Sequence, residues 1–272
     1  MYRLNFPYKL QEDDQLCFMH IPKTAGNSLG RDMAKRFPES RVFHDPSWAI
    51  QPIMDFPLYI RNSYQMVWGH ALFTQFRAVQ PTNQVYVTML RDPIERTIST
   101  YYYILSRPEH PFYPKVKSMS LEDFLLWEEQ DAVESHDLQT RYMSGVIDRT
   151  KDPDIDQACS VLRDKFMFVG LVERYEESLA LLNFTFGWPA SEVKYLNTTP
   201  VRAKQSDIAP NVLRLIRELN QNDIILYKFA EELFNEQLER MKTAQWLVDH
   251  QNAVYDSIER RFAHYSQWVR NL

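Results

Sequence analysis

The loop "HIPKTAGNS", directly after the apolar run "LCFM", is the first stretch of the sequence whose residues could do chemistry. Gly26 permits a positive φ or the close approach of a ligand, and either Asn27 or Ser28 is predicted to cap the helix that follows. The N–H groups and dipole of a helix start attract anions, and Lys23 adds a positive charge. The loop is therefore predicted to bind a phosphate-type anion. A plain polar turn is the alternative.

A second junction of the same kind occurs in "VYVTMLRDPIERTISTYYYIL". Arg91 ends an apolar run, Asp92 is predicted to cap a helix, and Pro93 is suited to its first position. Three polar side chains share one face of this helix: Arg96, Ser99 and Tyr103. Arg91 and Ser99 could bind a second phosphate, whereas an ion pair of Arg91 with Asp92 or Glu95 is the structural alternative. For Arg96, both roles stay open.

Apolar runs and helical patterns alternate along the chain, as in an α/β fold. The four runs are apolar almost without interruption, which is typical of strands buried on both faces of a parallel sheet: Leu16–Ile21, Gln65–Gly69, Val85–Leu90 and Phe166–Leu171. Helices are predicted between and after them: Ser28–Phe37, Pro93–Leu105, Leu121–Trp127, Asp137–Met143, Ile155–Leu162, Tyr175–Phe186, Val212–Leu219 and Ile224–Leu238. Ligands of such sheets bind beyond the carboxyl ends of the strands, where both junctions lie.

The C-terminal part is predicted to be helical and to extend beyond the main domain. Apolar side chains recur there at intervals of three, four or seven residues: Val248, Tyr255, Ile258, Phe262, Tyr265 and Val269. We predict a main domain at 1–240 and a helical extension at 241–272. The apolar stripe suits either packing on the main domain or a homodimer contact.

Composition excludes several classes of protein. The 272 residues carry a net charge of -5, so the whole-protein field does not favour nucleic acid. The two cysteines, Cys17 and Cys159, form no disulfide framework or metal pattern. No apolar run approaches the ~18 residues of a membrane span, and the N-terminus lacks the apolar core of a signal peptide. A cytoplasmic protein is the expectation.

The two junctions together resemble a known family. "HIPKTAGNSL" and "LRDPIERTISTYYY" are similar to sulfotransferases that use 3′-phosphoadenosine-5′-phosphosulfate (PAPS), and most similar to the carbohydrate group with the heparan sulfate 2-O- and 6-O-sulfotransferases. The resemblance implies a three-layer α/β fold of the P-loop type. It also implies a first loop that binds the 5′-phosphosulfate, an arginine and a serine for the 3′-phosphate, and a later loop, "YLNTTPVRAK", that closes over the nucleotide. The residues concerned are Lys23, Thr24, Ala25, Gly26, Asn27 and Ser28, then Arg91 and Ser99, then Arg202 and Lys204.

A third segment, "VWGHALFTQF", resembles the part of the 2-O-sulfotransferase-like enzymes that carries the catalytic histidine. This implies that His70 is the base for the acceptor hydroxyl, while Lys23 stabilises the departing phosphate. Imidazole suits that role near neutral pH, and no metal is required because lysine and helix amides neutralise the charge. His20 is predicted to be structural. Glu134 and His136 could enter the acceptor site, and a glutamate base is the alternative to His70.

The expected activity is transfer of a sulfuryl group from PAPS to a hydroxyl, with a glycan as the favoured acceptor. A glycolipid or a small-metabolite alcohol is the alternative acceptor. A small-molecule kinase is a rival activity, but the loop G-x-x-x-x-G-K-[ST] and a magnesium-holding acid are not evident. A nucleotide-binding protein without catalysis is a second rival. The stretch Ser106–Lys117 could line the acceptor cleft or be a solvated loop.

Overall fold

The structure is a computed structural model of the chain. It describes residues 7–45, 51–79, 83–127, 135–146, 148, 150–190 and 203–270. Arg202 and Glu134, two of the residues singled out in the sequence, lie outside the described residues.

Five parallel strands form the central sheet among the described residues. They are β1 (Gln15–Met19), β2 (Val42–Phe43), β3 (Met66–Gly69), β4 (Gln84–Leu90) and β5 (Phe166–Leu171), in the order β2-β3-β1-β4-β5. The four predicted strands are confirmed to within two residues at each end. β2 was missed because two residues are too short to give an apolar run.

Helices connect and follow the strands, which makes the architecture α/β. They are α1 (Gly26–Ala34), α2 (Leu58–Arg61), α3 (Phe73–Val79), α4 (Pro93–Leu105), α5 (Tyr113–Val116), α6 (Leu121–Leu126), α7 (Leu138–Ser144), α8 (Ile155–Lys165), α9 (Tyr175–Phe186), α10 (Pro210–Leu219) and α11 (Gln221–Arg270). Each predicted helix is present. The main differences are that α1 begins two residues earlier than predicted and that one helix runs through the whole of 221–270.

The strand order places a crevice between β1 and β4. After β1 the chain crosses to β2 on one side of the sheet, and after β3 it passes β1 to reach β4 on the other. Because parallel crossovers are right-handed, α1 lies on one face of the sheet and α3 on the opposite face. Ligands of open α/β sheets bind where the chain changes direction in this way. Both sequence motifs follow the two strands that border this crevice.

Burial explains why α1 is held close to the sheet. Leu16, Phe18 and Met19 of β1 are completely buried. Gly30 of α1 packs on the Trp68 ring so closely that a Cβ there would lie 2.2 Å from Cζ3. This contact fixes the position of α1 over β3, and with it the start of the helix.

The chain divides into two compact units, Met1–Phe234 and Asn235–Leu272. The first contains the sheet and the helices up to the first part of α11, and the second consists of the remainder of that helix. The predicted domain boundary at 240 and the dimer contact stay predictions. Among the described residues, no helix combines the length and apolar character needed to cross a membrane.

Candidate active site

The first loop has a constrained backbone that contains two left-handed residues. Lys23 has φ 68° and Ala25 has φ 59°, values that cost a residue with a Cβ about 1 kcal/mol or more. The buried hydroxyl of Thr24 donates to the Ile21 carbonyl at 2.8 Å, which closes the turn. Strain of this kind is found where a surrounding structure enforces it, often at ligand sites.

The start of α1 carries no side-chain cap. Ala25 is the N-cap residue, no side chain accepts from the first turn, and that turn contains no acidic residue. The predicted cap by Asn27 or Ser28 is wrong, because the helix begins at Gly26 and places both residues inside its first turn. Asn27 Oδ1 is buried and accepts no hydrogen bond from the described part of the chain. Because no side chain caps this end, the helix dipole and the first-turn N–H groups suit an anion.

Gly26 is required by a neighbouring ring. It is not among the residues with positive φ, so the first of the two predicted alternatives does not apply. A Cβ at this position would lie 1.8 Å from Cδ2 of His20. His20 makes the close approach that a glycine permits, and its buried ring packs against the loop.

The second junction meets the first loop through Arg91. Its Nη1 donates to the Lys23 carbonyl at 3.1 Å. The Gln139 side chain holds the Arg91 backbone at both ends, since Oε1 accepts from its N–H at 3.0 Å and Nε2 donates to its carbonyl at 2.9 Å. Long ion-pair contacts to Glu95 (3.9 Å) and Glu173 (3.8 Å) complete the surroundings of the guanidinium. The ion pair with Glu95, which the sequence offered as the structural alternative, is therefore present at a long distance.

The α4 helix begins as predicted. Asp92 Oδ1 accepts from the Glu95 N–H at 2.9 Å, and Pro93 occupies the first turn. The buried Ser99 lies on this helix two turns after Arg91. The role of Ser99 toward a 3′-phosphate stays a prediction.

Arg96 has a structural role. It is completely buried, and its Nε lies 3.9 Å from a carboxylate oxygen of the equally buried Asp223. Asp223 also accepts from the N–H groups of Gln139 and Thr140 at 3.1 and 2.7 Å, so it caps the start of α7. Asp137, whose pKa is raised to about 6 by burial and by Asp223, accepts from the Asp223 N–H. This network joins α4, α7 and α11 beneath Arg91.

Three histidines follow three adjacent strands: His20 after β1, His44 after β2 and His70 after β3. The rings of His20 and His70 are 4.5 Å apart, edge to face, and His44 stacks on Trp68 at 4.1 Å. Burial, His44 and Lys23 lower the pKa of His70 to about 4. Burial, His70, Lys23 and His44 likewise hold the pKa of His20 well below its usual range. His70 is therefore neutral at pH 7, the form that can accept a proton.

His44 was missed in the sequence. It follows the two-residue strand β2, which is too short to give an apolar run, so the sequence held no signal for it. His136 was considered for the acceptor site, but its Nε2 is engaged by the Leu125 carbonyl at 3.0 Å. Lys204 is exposed at the start of a 3₁₀ turn, Gln205–Asp207. Its predicted contact with a nucleotide stays a prediction.

The stretch from Ser106 to Lys117 folds back on α4. Phe112 and Tyr113 pack against a buried cluster that includes Tyr101, Phe124 and Trp127. The His110 ring meets the Tyr103 ring edge-on at 5.8 Å, and Lys23 contributes to lowering the pKa of His110. The segment is thus a packed wall beside the first loop, although Arg107 and Glu109 at its tip are exposed.

A family model described as "Sulfotransferase family" matches residues 7–230, which include both junctions and His70. The chain belongs to the sulfotransferase family. This assignment confirms the resemblance seen in the sequence and replaces the kinase alternative.

Curated relatives are carbohydrate sulfotransferases. The chain is 25% identical to heparan-sulfate 6-O-sulfotransferase 2 of Danio rerio over 84% of its own length and 59% of that protein's. It is 26% identical to galactose-3-O-sulfotransferase 3 of Mus musculus over 62% of its length and 42% of that protein's. The chain therefore spans about half the length of these relatives. A crystal structure of mouse sulfotransferase SULT7A1 complexed with PAP matches with a TM-score of 0.44 and 11% identity, covering 84% of this chain and 91% of that one.

No group of three or more acidic, histidine or cysteine side chains suited to a metal ion occurs in the ranges that the structure describes. The positive groups near the crevice are instead Lys23, Arg91 and the N–H groups of the first turn of α1.

Proposed function

We propose that this sulfotransferase moves the sulfuryl group of PAPS to a hydroxyl of a carbohydrate acceptor. The observation that carries the proposal is the hydrogen bond between Arg91 Nη1 and the Lys23 carbonyl at 3.1 Å. Through it the two motifs meet across the crevice between β1 and β4. One crevice thus offers positive groups for both phosphate-bearing ends of such a donor.

The residues present fit the donor's two anionic ends. The start of α1, which has no side-chain cap and no acidic residue in its first turn, suits the 5′-phosphosulfate, as does the strained loop before it. Arg91, whose backbone is held by Gln139, donates from Nη1 to the Lys23 carbonyl and is proposed to offer its other guanidinium N–H groups to the 3′-phosphate. Ser28 and Ser99 are proposed to donate hydroxyl hydrogen bonds to the first and second phosphate. Lys204 and Arg202 are proposed to approach the nucleotide from the later loop.

The transfer would proceed by in-line displacement. The acceptor oxygen forms a bond to sulfur while the bond between sulfur and the bridging oxygen of the 5′-phosphate breaks. His70, which is neutral at pH 7, is proposed to take the hydroxyl proton. Lys23 stabilises the negative charge that develops on the departing phosphate. Positive charge comes from protein groups, so the proposal includes no metal ion.

A carbohydrate acceptor is supported by the names of the two curated relatives, although a lipid or small-metabolite alcohol is chemically possible. The test is transfer of ³⁵S from labelled PAPS to a panel of heparan-type, galactose-containing, lipid and small-alcohol acceptors. We expect labelling of a glycan. A transfer confined to the lipid or small-alcohol arms would contradict the acceptor class.

The catalytic assignment is tested with His70→Ala. We expect a loss of roughly 10²–10⁴-fold in kcat, the usual contribution of a general base, with binding of adenosine 3′,5′-bisphosphate retained. His136→Ala is the matched control, since that ring is engaged by a backbone carbonyl. Normal turnover by His70→Ala would overturn the role of His70.

A further inference from the structure

The ring of Tyr103 holds the ammonium group of Lys23. Lys23 Nζ lies 3.7 Å from the ring centroid, a close cation–π contact. Tyr103 lies on α4 one turn beyond Ser99. The helix that begins at the second junction therefore contacts the lysine of the first loop. Neither motif predicts this contact, because both were interpreted through phosphate groups alone.

The same ring faces the wall formed by the stretch after α4. His110 contacts it edge-on at 5.8 Å, and the Arg107 guanidinium lies 5.5 Å from its centroid. Lys23 in turn is near enough to His70 to contribute to lowering its pKa. Tyr103 therefore lies between the groups proposed for chemistry and a partly exposed wall on which an acceptor could rest.

The Tyr103 ring and the phosphate of a bound donor would compete for the ammonium group of Lys23. A cation–π contact contributes roughly 0.5–2 kcal/mol, whereas a charge-assisted hydrogen bond to a phosphate contributes about 1.5–3 kcal/mol. A bound donor would therefore draw Lys23 away from the ring. The uncovered face carries the negative end of the ring quadrupole, which suits the weakly positive C–H face of a pyranose.

We propose that Tyr103 seats Lys23 while the donor site is empty, and that after donor binding its ring becomes a platform for a sugar ring of the acceptor. This inference rests on the proposed function. It assigns an acceptor subsite to Tyr103, with Arg107 and His110 beside it. It also gives an order of events, because the acceptor meets the aromatic face only after the nucleotide has taken the lysine.

The contact between Lys23 and the Tyr103 ring is tested by NMR on full-length protein with ¹³C-labelled lysine. The ring current should displace one lysine Cε–H₂ signal upfield, and the signal should vanish in Lys23→Met and Tyr103→Leu but persist in Tyr103→Phe. Lys115→Met is the matched control, because Lys115 lies 4.9 Å from the centroid of the Trp127 ring and gives its own displaced signal. Saturating adenosine 3′,5′-bisphosphate should return the Lys23 signal to its ordinary position.

The platform is tested by comparing donor and acceptor constants in Tyr103→Leu. Donor Kd should fall by up to about fivefold, because no seat competes for Lys23. Acceptor KM should rise about tenfold, the loss expected for one aromatic contact. Tyr103→Phe should keep both constants within about twofold, since it retains the ring. If Tyr103 had only a structural role, its loss would instead raise both the donor Kd and the acceptor KM.

The outcomes separate the two proposals. If the nucleotide causes neither a thermal shift nor any change in the lysine spectrum, the proposed function fails. Two results would overturn the proposal that Tyr103 holds Lys23 first and a sugar ring afterwards. One is a nucleotide that binds while the displaced Lys23 signal stays. The other is an equal rise in donor Kd and acceptor KM for Tyr103→Leu in a folded protein.

Discussion

The two strand–helix junctions differ in how the start of the helix is stabilised and in how the basic residue beside it is held. At the second junction, Asp92 caps α4 with its own carboxylate and Gln139 holds Arg91 from both sides. At the first, α1 starts without a side-chain cap, two residues are left-handed, and the lysine rests on an aromatic ring. The helix start at the second junction is thus capped from within the chain, whereas the helix start at the first has no side-chain cap. We interpret the first as the place of chemistry and the second as the place of binding.

The largest difference is expected from Lys23→Ala. Loss of charge stabilisation on the departing phosphate should lower kcat by roughly 10²–10³-fold, with a smaller change in donor Kd. Single-turnover transfer of ³⁵S measures the first quantity and calorimetry the second. Lys35→Ala, at an exposed ion pair with Asp32, is the control and should leave both unchanged. A variant at position 23 that loses affinity but keeps kcat would reverse the roles of the junctions.

Arg91→Ala is expected to affect binding instead. Removing its hydrogen bonds to a 3′-phosphate should raise the Kd of adenosine 3′,5′-bisphosphate by roughly 10–100-fold, equivalent to about 1.5–3 kcal/mol. Calorimetry with adenosine 5′-monophosphate provides the matched ligand, because it lacks the 3′-phosphate and should bind both proteins equally. An equal loss for both nucleotides would show that Arg91 acts elsewhere.

Gly26→Ala tests the support beneath the first loop. The new Cβ would overlap the His20 ring, and overpacking of this kind costs about 1–3 kcal/mol. Urea unfolding measures the cost. In a His20→Ala background the space is available, so the same substitution should cost much less. An undiminished cost there would mean that the glycine is needed for another reason.

Asp92→Ala should lower the free energy of unfolding by about 1 kcal/mol, the usual value of a helix cap. Asp92→Asn, which can still accept the Glu95 N–H, is expected to recover most of it. Asp154, which caps α8 by accepting from the Gln157 N–H at 2.9 Å, offers a comparison away from the crevice. If Asp92→Ala instead abolished nucleotide binding in a folded protein, Asp92 would have a role in binding beyond that of a helix cap.

The smallest effect is electrostatic. Lys23 is the third cause, after burial and His44, that lowers the pKa of His70 to about 4. Lys23→Met should therefore raise that pKa toward its ordinary value, while Arg91→Ala, which is not among the causes, should leave it unchanged. NMR titration of the His70 ring in donor-free protein measures both. An unchanged pKa of His70 in Lys23→Met would show that Lys23 does not lower it.

Local signals in the sequence predicted what is local in the structure. The uninterrupted apolar runs gave four strands, and Asp92 followed by Pro93 gave the start of α4, since a cap and a first-turn proline act within a few residues. The start of α1 was placed wrongly because Ala25 adopts a conformation that alanine rarely takes. The surroundings of Arg91 were not predictable either. Gln139 lies 48 residues away in the chain, and no periodic pattern connects the two.

The Asp223 carboxylate has a consequence for synthesis of the protein. It accompanies the buried Arg96 and caps α7, whose Gln139 in turn holds Arg91. A ribosome makes β1, the first loop and α4 long before it reaches residue 223. Until that segment emerges, burying Arg96 would lack the carboxylate that compensates its charge, at a cost of several kcal/mol. The second junction is therefore expected to mature late, when most of the chain has been translated.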